Sequence, residues 1–433
     1  MSGPRVGIAG LTHLGLNTAA AFAERGCRVV GHDGDVALCE QLAKGVLPIS
    51  EPGLDELLQK NRDAISFSPD PSAVADCSIV YVAQDVPTDS DGKSDLAPLC
   101  SLVAEVSPAV DDSASLVLLS QVPPGFTRRV AFEPARLFYQ VETLVFGRAV
   151  ERALHPERFI VGSSDPDSEL PAALLDLLRK FDCPILQMNY ESAEFAKIAI
   201  NCCLAGQVGV TNTLAELCER IGADWADIAS ALRLDRRIGP HAYLEPGLGI
   251  SGGNLERDLA TVCDYGNTLG TETAVIRSLV DNSHYRRDWA FRILHDHVLT
   301  RSDSPRIGIL GLAYKPGTAS TKNSPTLRLI EQLAGFDIKV HDELVGSVEP
   351  GHTNLVTCPD PADVWRDSDA LVVMTPSPSY VAHDPAQIAQ AMRGDVFIDP
   401  FGLFDRQACL SAGLNYFRLG KGNSEGEAHG LPC

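Results

Sequence analysis

The chain has 433 residues, of which 45% are hydrophobic and 21% charged, with a formal net charge of −21. That length exceeds one hydrophobic core and implies two or three domains of ordinary globular composition. The acidic balance excludes non-specific binding to nucleic acid or to anionic membranes, both of which need a basic surface.

No run of 18 apolar residues occurs, and the opening "MSGPRVGIAG" enters a strand pattern at once. Neither a signal peptide nor a membrane span is expected. The 12 cysteines are scattered singly, apart from the pair Cys202 and Cys203, with no C-x-x-C and no metal-ligand spacing. Reduced thiols, a cytoplasmic location and no bound metal follow.

The N-terminal third alternates short β-branched runs with helical patterns. "RVGIAGL" leads into a helix through "NTAAAFAERG", then "CRVVGHD", then a helix near "VALCEQLAKG". "SIVYVAQ" and "SLVLLSQ" follow as buried-strand patterns. Strands alternating with helices imply parallel βαβ units with ligand sites at the strands' C-terminal ends.

From about residue 191 the pattern changes. "ESAEFAKIAINCCLAGQVGVTNTLAELCERIG" has apolar positions at helical spacing and no proline, and a second helical run covers 273–300. The α/β pattern resumes with "RIGILGL", "DIKVHDE", "ALVVMTP" and "DVFIDPFG". The fold class is therefore α/β, with two Rossmann-type domains joined by a central helical domain containing a long helix. The expected domains are 1–190, 191–300 and 301–433.

"VGIAGLTHLGL" places Gly10 and Gly15 at the first and third glycines of G-x-G-x-x-G, after a strand and at the start of a helix. Thr12 holds the middle position, where glycine lets backbone approach a pyrophosphate, and His13 and Leu14 complete the turn. The anion would sit at a helix N-terminus. Asp33 ends the second strand about 20 residues on, where a carboxylate takes the ribose hydroxyls and repels a 2′-phosphate. NAD is expected rather than NADP.

Seven further stretches stand out along the chain: "EPGLDELL", "VPT" with "GKSDL", "SQVPPGFT", "GRAVERALHPERFIVG", "SAEFAKIAINCCLA", "DRRIGP" and "GLAYKPGT" with "KNSP". In these stretches and their order the chain resembles the UDP-glucose/GDP-mannose dehydrogenase family almost end to end. The resemblance implies a homodimer built on the long helix, with NAD in the N-terminal domain and a nucleotide sugar on the C-terminal one. It also implies oxidation of a C6 alcohol to a carboxylate through a cysteine-bound thioester.

Aligned on the family's G-F-G-G-S-C-F-P-K-D, "GISGGNLERD" puts Asn254 on the cysteine, Glu256 on the proline, Arg257 on the lysine and Asp258 on the aspartate. An amide cannot form a thioester. Cys202 and Cys263 are near in sequence but fall off the motif position. Gln121, expected in the cofactor pocket, stands where the family has a threonine that positions water. Phe146 replaces a glutamate whose companion survives as Glu142, a substrate-binding candidate, and Phe401 stands where an arginine is usual.

Lys197 and Asn201, four residues apart, share one helix face and with Asp258 form the remaining catalytic set. Lys197 and Asn201 stabilise an oxyanion while Asp258 assists proton removal through water, or Lys197 is itself the base. Gly249, Gly252 and Gly253 would let backbone approach the sugar. Lys315 and Lys322 would meet the diphosphate, with Arg237 reaching across a dimer.

The implied reaction is one hydride transfer that stops at a ketone. A secondary C6 alcohol fits that outcome, as in a heptose or octose; a dehydrogenase of this family serves the GDP-octose route to the lincosamide amino sugar. The rivals are an epimerase with retained NAD and a non-catalytic NAD- and nucleotide-sugar-binding remnant.

Overall fold

The computed structural model describes residues 4–89, 94–346 and 354–422. Gly92 and Lys93 of "GKSDL" lie outside the described residues, as do both ends of the expected domains. The chain divides into two compact units, Met1–Ile200 and Asn201–Cys433.

In the first unit the strands are β1 (Arg5–Ala9), β2 (Arg28–His32), β3 (Ile65–Ser68), β4 (Ile79–Val82), β5 (Ser115–Leu118), β6 (Leu137–Gln140), β7 (Phe159–Ser163) and β8 (Ile185–Asn189). They form one sheet in the order β3-β2-β1-β4-β5-β6-β7-β8. The sheet is parallel except between β6 and β7, where Tyr139 faces Gly162 and Gln140 faces Val161. β4 and β5 are buried along their whole length, as expected of strands covered on both faces. This order reverses direction between β1 and β4, which opens the crevice where such sheets bind ligands.

The second unit repeats the plan with β9 (Arg306–Leu310), β10 (Asp337–His341), β11 (Leu355–Thr357), β12 (Ala370–Val373), β13 (Val396–Ile398) and β14 (Asn415–Phe417). All neighbours in the order β11-β10-β9-β12-β13-β14 are parallel. The two first turns correspond closely. Gly10 and Gly311 have φ of 89° and 93°, a conformation that favours glycine. Their amides donate to the carbonyls of His32 and His341 at 2.9 and 2.8 Å. Asp33 and Asp342 come next in each case.

The long helix spans Tyr190–Ile221, close to the expected run. Length and composition alone would let it cross a membrane. One side of it is packed: Ala193, Ile198, Ala205 and Ala215 are buried, and so are Glu194, Asn201, Thr211 and Asn212, whose side chains bond to protein groups.

The run expected over 273–300 is helical with one break: Ala274–Arg287, then Trp289–Leu294 continued by a π-helical turn over His295–Leu299. Asp288 separates them with φ −85° and ψ 7°, and its carboxylate accepts hydrogen bonds from Arg328 and Gln332. Asn254 is the first residue of the helix Asn254–Leu269, with Gly253 as the N-cap.

Candidate active site

The dinucleotide turn is built around its glycines. A Cβ on Gly15 would collide with the Gly10 carbonyl oxygen, so the third glycine is required by the packing of helix His13–Glu24 on β1. Thr12 sits before that helix with extended backbone (φ −81°, ψ −172°) and needs no glycine geometry. Its hydroxyl is turned sideways, donating to the Ala83 carbonyl at 3.1 Å and accepting from the Asp85 amide at 3.2 Å. Asp33 accepts from the Leu11 amide at 3.0 Å and the Asp35 amide at 3.1 Å, which fixes its carboxylate at the mouth of the turn. Gly10, Gly15 and Asp33 thus fit the dinucleotide.

His13, in the first turn of the helix, is buried and bonds to Glu51 at 2.8 Å. Glu51 also accepts from the Gly147 and Ala149 amides at 3.0 and 2.9 Å. Burial pushes its carboxyl up, but His13 and the two amides outweigh that and hold it below the usual range. The Phe146 ring stacks on His13 with centroids 4.1 Å apart. No spacing signal marks this cluster, because its members are separated by tens of residues and two of its donors are backbone.

The same segment carries Glu142, whose carboxylate holds the Lys197 ammonium at 2.9 Å, with both side chains about seven-eighths buried. Lys197 also donates to the Glu142 carbonyl at 3.2 Å. Gln121 is buried after β5, in a loop that Glu194 clamps by accepting from the Gly125 amide at 2.5 Å and the Thr127 amide at 2.7 Å.

In the second unit, Asn201 donates to Asp258 at 2.5 Å, and both side chains are buried. Arg257 Nε lies 3.3 Å from the other Asp258 oxygen. Lys197 and Asn201 lie one turn apart on the long helix.

The glycines of 249–253 have structural causes of their own. A Cβ on Gly249 would fall on the Ser283 carbonyl oxygen, and one on Gly252 would lie 3.1 Å from the Tyr314 ring; both residues have positive φ. Glu256 ties this turn down by accepting from Arg287 and Asn323, while Asn323 also donates to the Gly252 carbonyl at 2.9 Å. Asn254 is exposed on the first helical turn. The thiol next to Asn201, Cys202, is pushed up to about 11 by burial, with Asp258 and the neighbouring cysteines Cys203 and Cys263 adding to the rise. All eleven described cysteines are free.

Lys315 lines a cleft of about 270 Å³ at the C-terminal ends of the second sheet, together with Gly311, Asp342, Thr318 and Ser377. Lys322 is exposed and is not among that cleft's walls. Arg237 is exposed and folded back on Asp235 at 2.6 Å.

Three models of one family account for most of the chain. Residues 4–182 match the NAD binding domain of the UDP-glucose/GDP-mannose dehydrogenase family, 191–283 its central domain and 308–406 its UDP binding domain. The UDP-glucose 6-dehydrogenase TuaD of Bacillus subtilis is 28% identical over 445 residues, covering 96% of this chain and 93% of its own. The UDP-glucose 6-dehydrogenase of Pseudomonas aeruginosa is 27% identical over 443 residues, covering 96% and 97%. A UDP-glucose dehydrogenase structure from Pyrobaculum islandicum matches with a TM-score of 0.80 at 28% identity, covering 94% of this chain and 95% of that one. The chain is therefore a member of the UDP-glucose/GDP-mannose dehydrogenase family, an NAD-dependent oxidoreductase acting on a CH–OH group of a nucleotide sugar.

Proposed function

We propose that this enzyme makes a single two-electron oxidation of a secondary alcohol, the C6 hydroxyl of a long-chain nucleotide sugar such as a GDP-octose, and stops at the ketone. The carrying observation is Asn254. The ungapped motif alignment puts it on the family's cysteine position, and it lies on the first turn of a helix beside a tightly packed glycine turn. A ketone needs no thiol to trap it, whereas an aldehyde on the way to a carboxylate does. Cys202 is a poor substitute, since a thiol raised to about 11 is almost wholly protonated at neutral pH. Phe146 supports the reading as well, placing a half-exposed ring rather than a carboxylate on the cofactor side.

When bound, NAD supplies the hydride acceptor. Lys197, held by Glu142, offers a fixed positive charge to the developing oxyanion, and Asn201 adds an amide donor. Asp258, oriented by Asn201 and Arg257, takes the hydroxyl proton through one water. Asn254 bonds a sugar hydroxyl, with Gly252 and Gly253 beside it. Lys315 meets the diphosphate, and Arg237 swings off Asp235 to reach the substrate of a second subunit in a cytoplasmic homodimer.

Counting NADH per sugar consumed, with mass analysis of the product, tests this. The expected result is one NADH and a keto sugar still attached to its nucleotide. Two NADH and a carboxylate would sink the proposal; no net NADH with an inverted carbon would indicate the epimerase, and no turnover of any nucleotide sugar the binding remnant.

A further inference from the structure

The strands of the second sheet run parallel, so the residues that follow them share one edge, where such sheets bind ligands. On that edge Lys315 follows β9, and Arg418 directly follows β14. Backbone bonds hold Arg418 against the turn after β13. The Asp399 amide donates to the Phe417 carbonyl at 2.9 Å and the Leu419 amide to the Pro400 carbonyl at 3.4 Å. The turn ends at Gly402, whose φ is 63°. The Arg418 guanidinium fills the space over Gly402, with its Cζ only 2.5 Å from where a Cβ would be. A glycine is required there by the arginine as well as by the turn.

No hydrogen bond or ion pair among the described residues engages this guanidinium. Two carboxylates feel its charge, but both are occupied. Asp399 accepts from the Phe404 amide at 2.8 Å and the Tyr416 hydroxyl at 2.7 Å, and Asp224 pairs with Lys421 at 2.6 Å. Arg418 is half-buried, and a cation stripped of part of its water calls for an anion. Beside it Phe401, at the position where an arginine is usual in the family, packs its ring on the core of the sheet instead.

We infer that Arg418 is a ligand of the substrate's nucleotide diphosphate, a guanidinium supplied from β14 to the place beside Phe401. Its planar fork offers two parallel donors to one phosphate, a fit that lysine lacks. In the sheet β9 and β14 are three strand steps apart, roughly 14 Å at about 4.8 Å each. One long side chain from each end closes that gap, so Lys315 and Arg418 grip the diphosphate from its two sides. The inference rests on the reading that the second unit takes the nucleotide of the sugar.

Calorimetric titration of the full chain with GDP, UDP and NAD tests this. The proteins compared are wild type, Arg418→Gln, Gly402→Ala and a double variant that adds Phe401→Arg to Arg418→Gln. Wild type should bind at least one of the two diphosphates, and Arg418→Gln should weaken that binding about tenfold to a hundredfold, the loss expected of charge-assisted hydrogen bonds. NAD carries a diphosphate of its own but belongs to the first unit, so it should bind every variant equally. Restoring an arginine at 401 should recover most of the lost affinity, which a merely structural Arg418 would not allow. Gly402→Ala leaves every charge in place and only displaces the guanidinium. It should weaken the diphosphate in the same direction, and it carries the test if melting curves show Arg418→Gln to be unfolded. Undiminished diphosphate affinity in folded Arg418→Gln, or in Gly402→Ala where that variant stands in for it, would overturn the inference. So would a loss that Phe401→Arg does not reduce. A wild type that binds neither GDP nor UDP would remove the nucleotide from the second unit, and the inference with it. Turnover does not enter, so the result is separate from whether the sugar is oxidised once or twice.

Discussion

Lys197 shows why a single side chain carries so much of the expected chemistry. Its amine is held by a carboxylate and a carbonyl of the same residue, Glu142, so its position is fixed before substrate arrives. A fixed charge in a water-poor site stabilises a developing oxyanion without reorganising. Replacing it by methionine, which keeps most of the volume, should lower turnover by about 10²–10³ while leaving NAD affinity unchanged. Steady-state rates with NAD titrated separately check this; undiminished turnover would assign Lys197 to a structural pair with Glu142. Asp33 works differently, since two loop amides share its carboxylate. Asp33→Asn should therefore weaken NAD by roughly tenfold and narrow its preference over NADP, because the repulsion of a 2′-phosphate disappears with the charge. Titration with both cofactors reads the preference, and an unchanged NAD-to-NADP ratio would remove Asp33 from the ribose. Among the residues singled out from sequence, Gly249 and Gly252 gained an explanation independent of any ligand: Ser283 and Tyr314 occupy the space a side chain would need.

At the scale of elements, two buried carboxylates hold the two loops beside the cofactor crevice, and they differ in sign. Glu51 and Glu194 each accept two backbone amides, but only Glu51 also has an imidazole partner. Burial opposes the charge in both; it is overcome in Glu51, whose carboxyl is lowered, and wins in Glu194, whose carboxyl is raised. A lowered carboxyl stabilises the fold above its unfolded pKa of about 4.3 and loses that contribution as pH falls through the lower folded value. A raised one contributes below the unfolded pKa and loses its contribution as pH rises through the folded value. Melting curves of Glu51→Gln and Glu194→Gln followed from about pH 7 down to about pH 3, through the range below the unfolded pKa, should thus diverge. The deficit of Glu51→Gln should shrink on acidification, while that of Glu194→Gln should hold or grow; parallel behaviour would refute the assigned causes. Neither carboxylate was singled out from the sequence, because a bond to a distant backbone amide leaves no spacing signal. The strands divide on similar grounds. β1, β2, β4 and β5 were legible as runs buried on both faces, whereas β3 and β8, at the sheet's two edges, are only half-buried and show no such run. β7 is buried, but its apolar run stops at Gly162, where a Cβ would lie 2.9 Å from Ala193 of the long helix.

For the whole molecule, the long helix decides the expected assembly. In the second unit its Glu216 and Glu219 face the fully buried Arg286 at 3.1 and 3.5 Å. Val210, Leu214, Leu217 and Ile221 occupy another face and are 59%, 41%, 53% and 49% exposed. Their spacings of four, three and four make a continuous apolar seam, the pattern with which one helix packs against another. An apolar seam this long is what the proposed homodimer would bury, because burial, not charge, is what it offers. Association should survive added salt, which screens the repulsion between two acidic subunits and leaves burial intact. Light scattering should therefore give twice the 46.4 kDa chain mass at both low and high salt. Placing glutamate at Leu214 and Leu217 together should give the chain mass, since two charges per subunit would have to enter an apolar interface. The dissociated variant should keep its NAD affinity, because Asp33 and the glycine turn lie wholly within the first unit. It should lose nucleotide-sugar affinity if Arg237 serves the neighbouring subunit as proposed. A wild-type protein at the chain mass, or a double variant still at twice that mass, would exclude the helix seam as the interface.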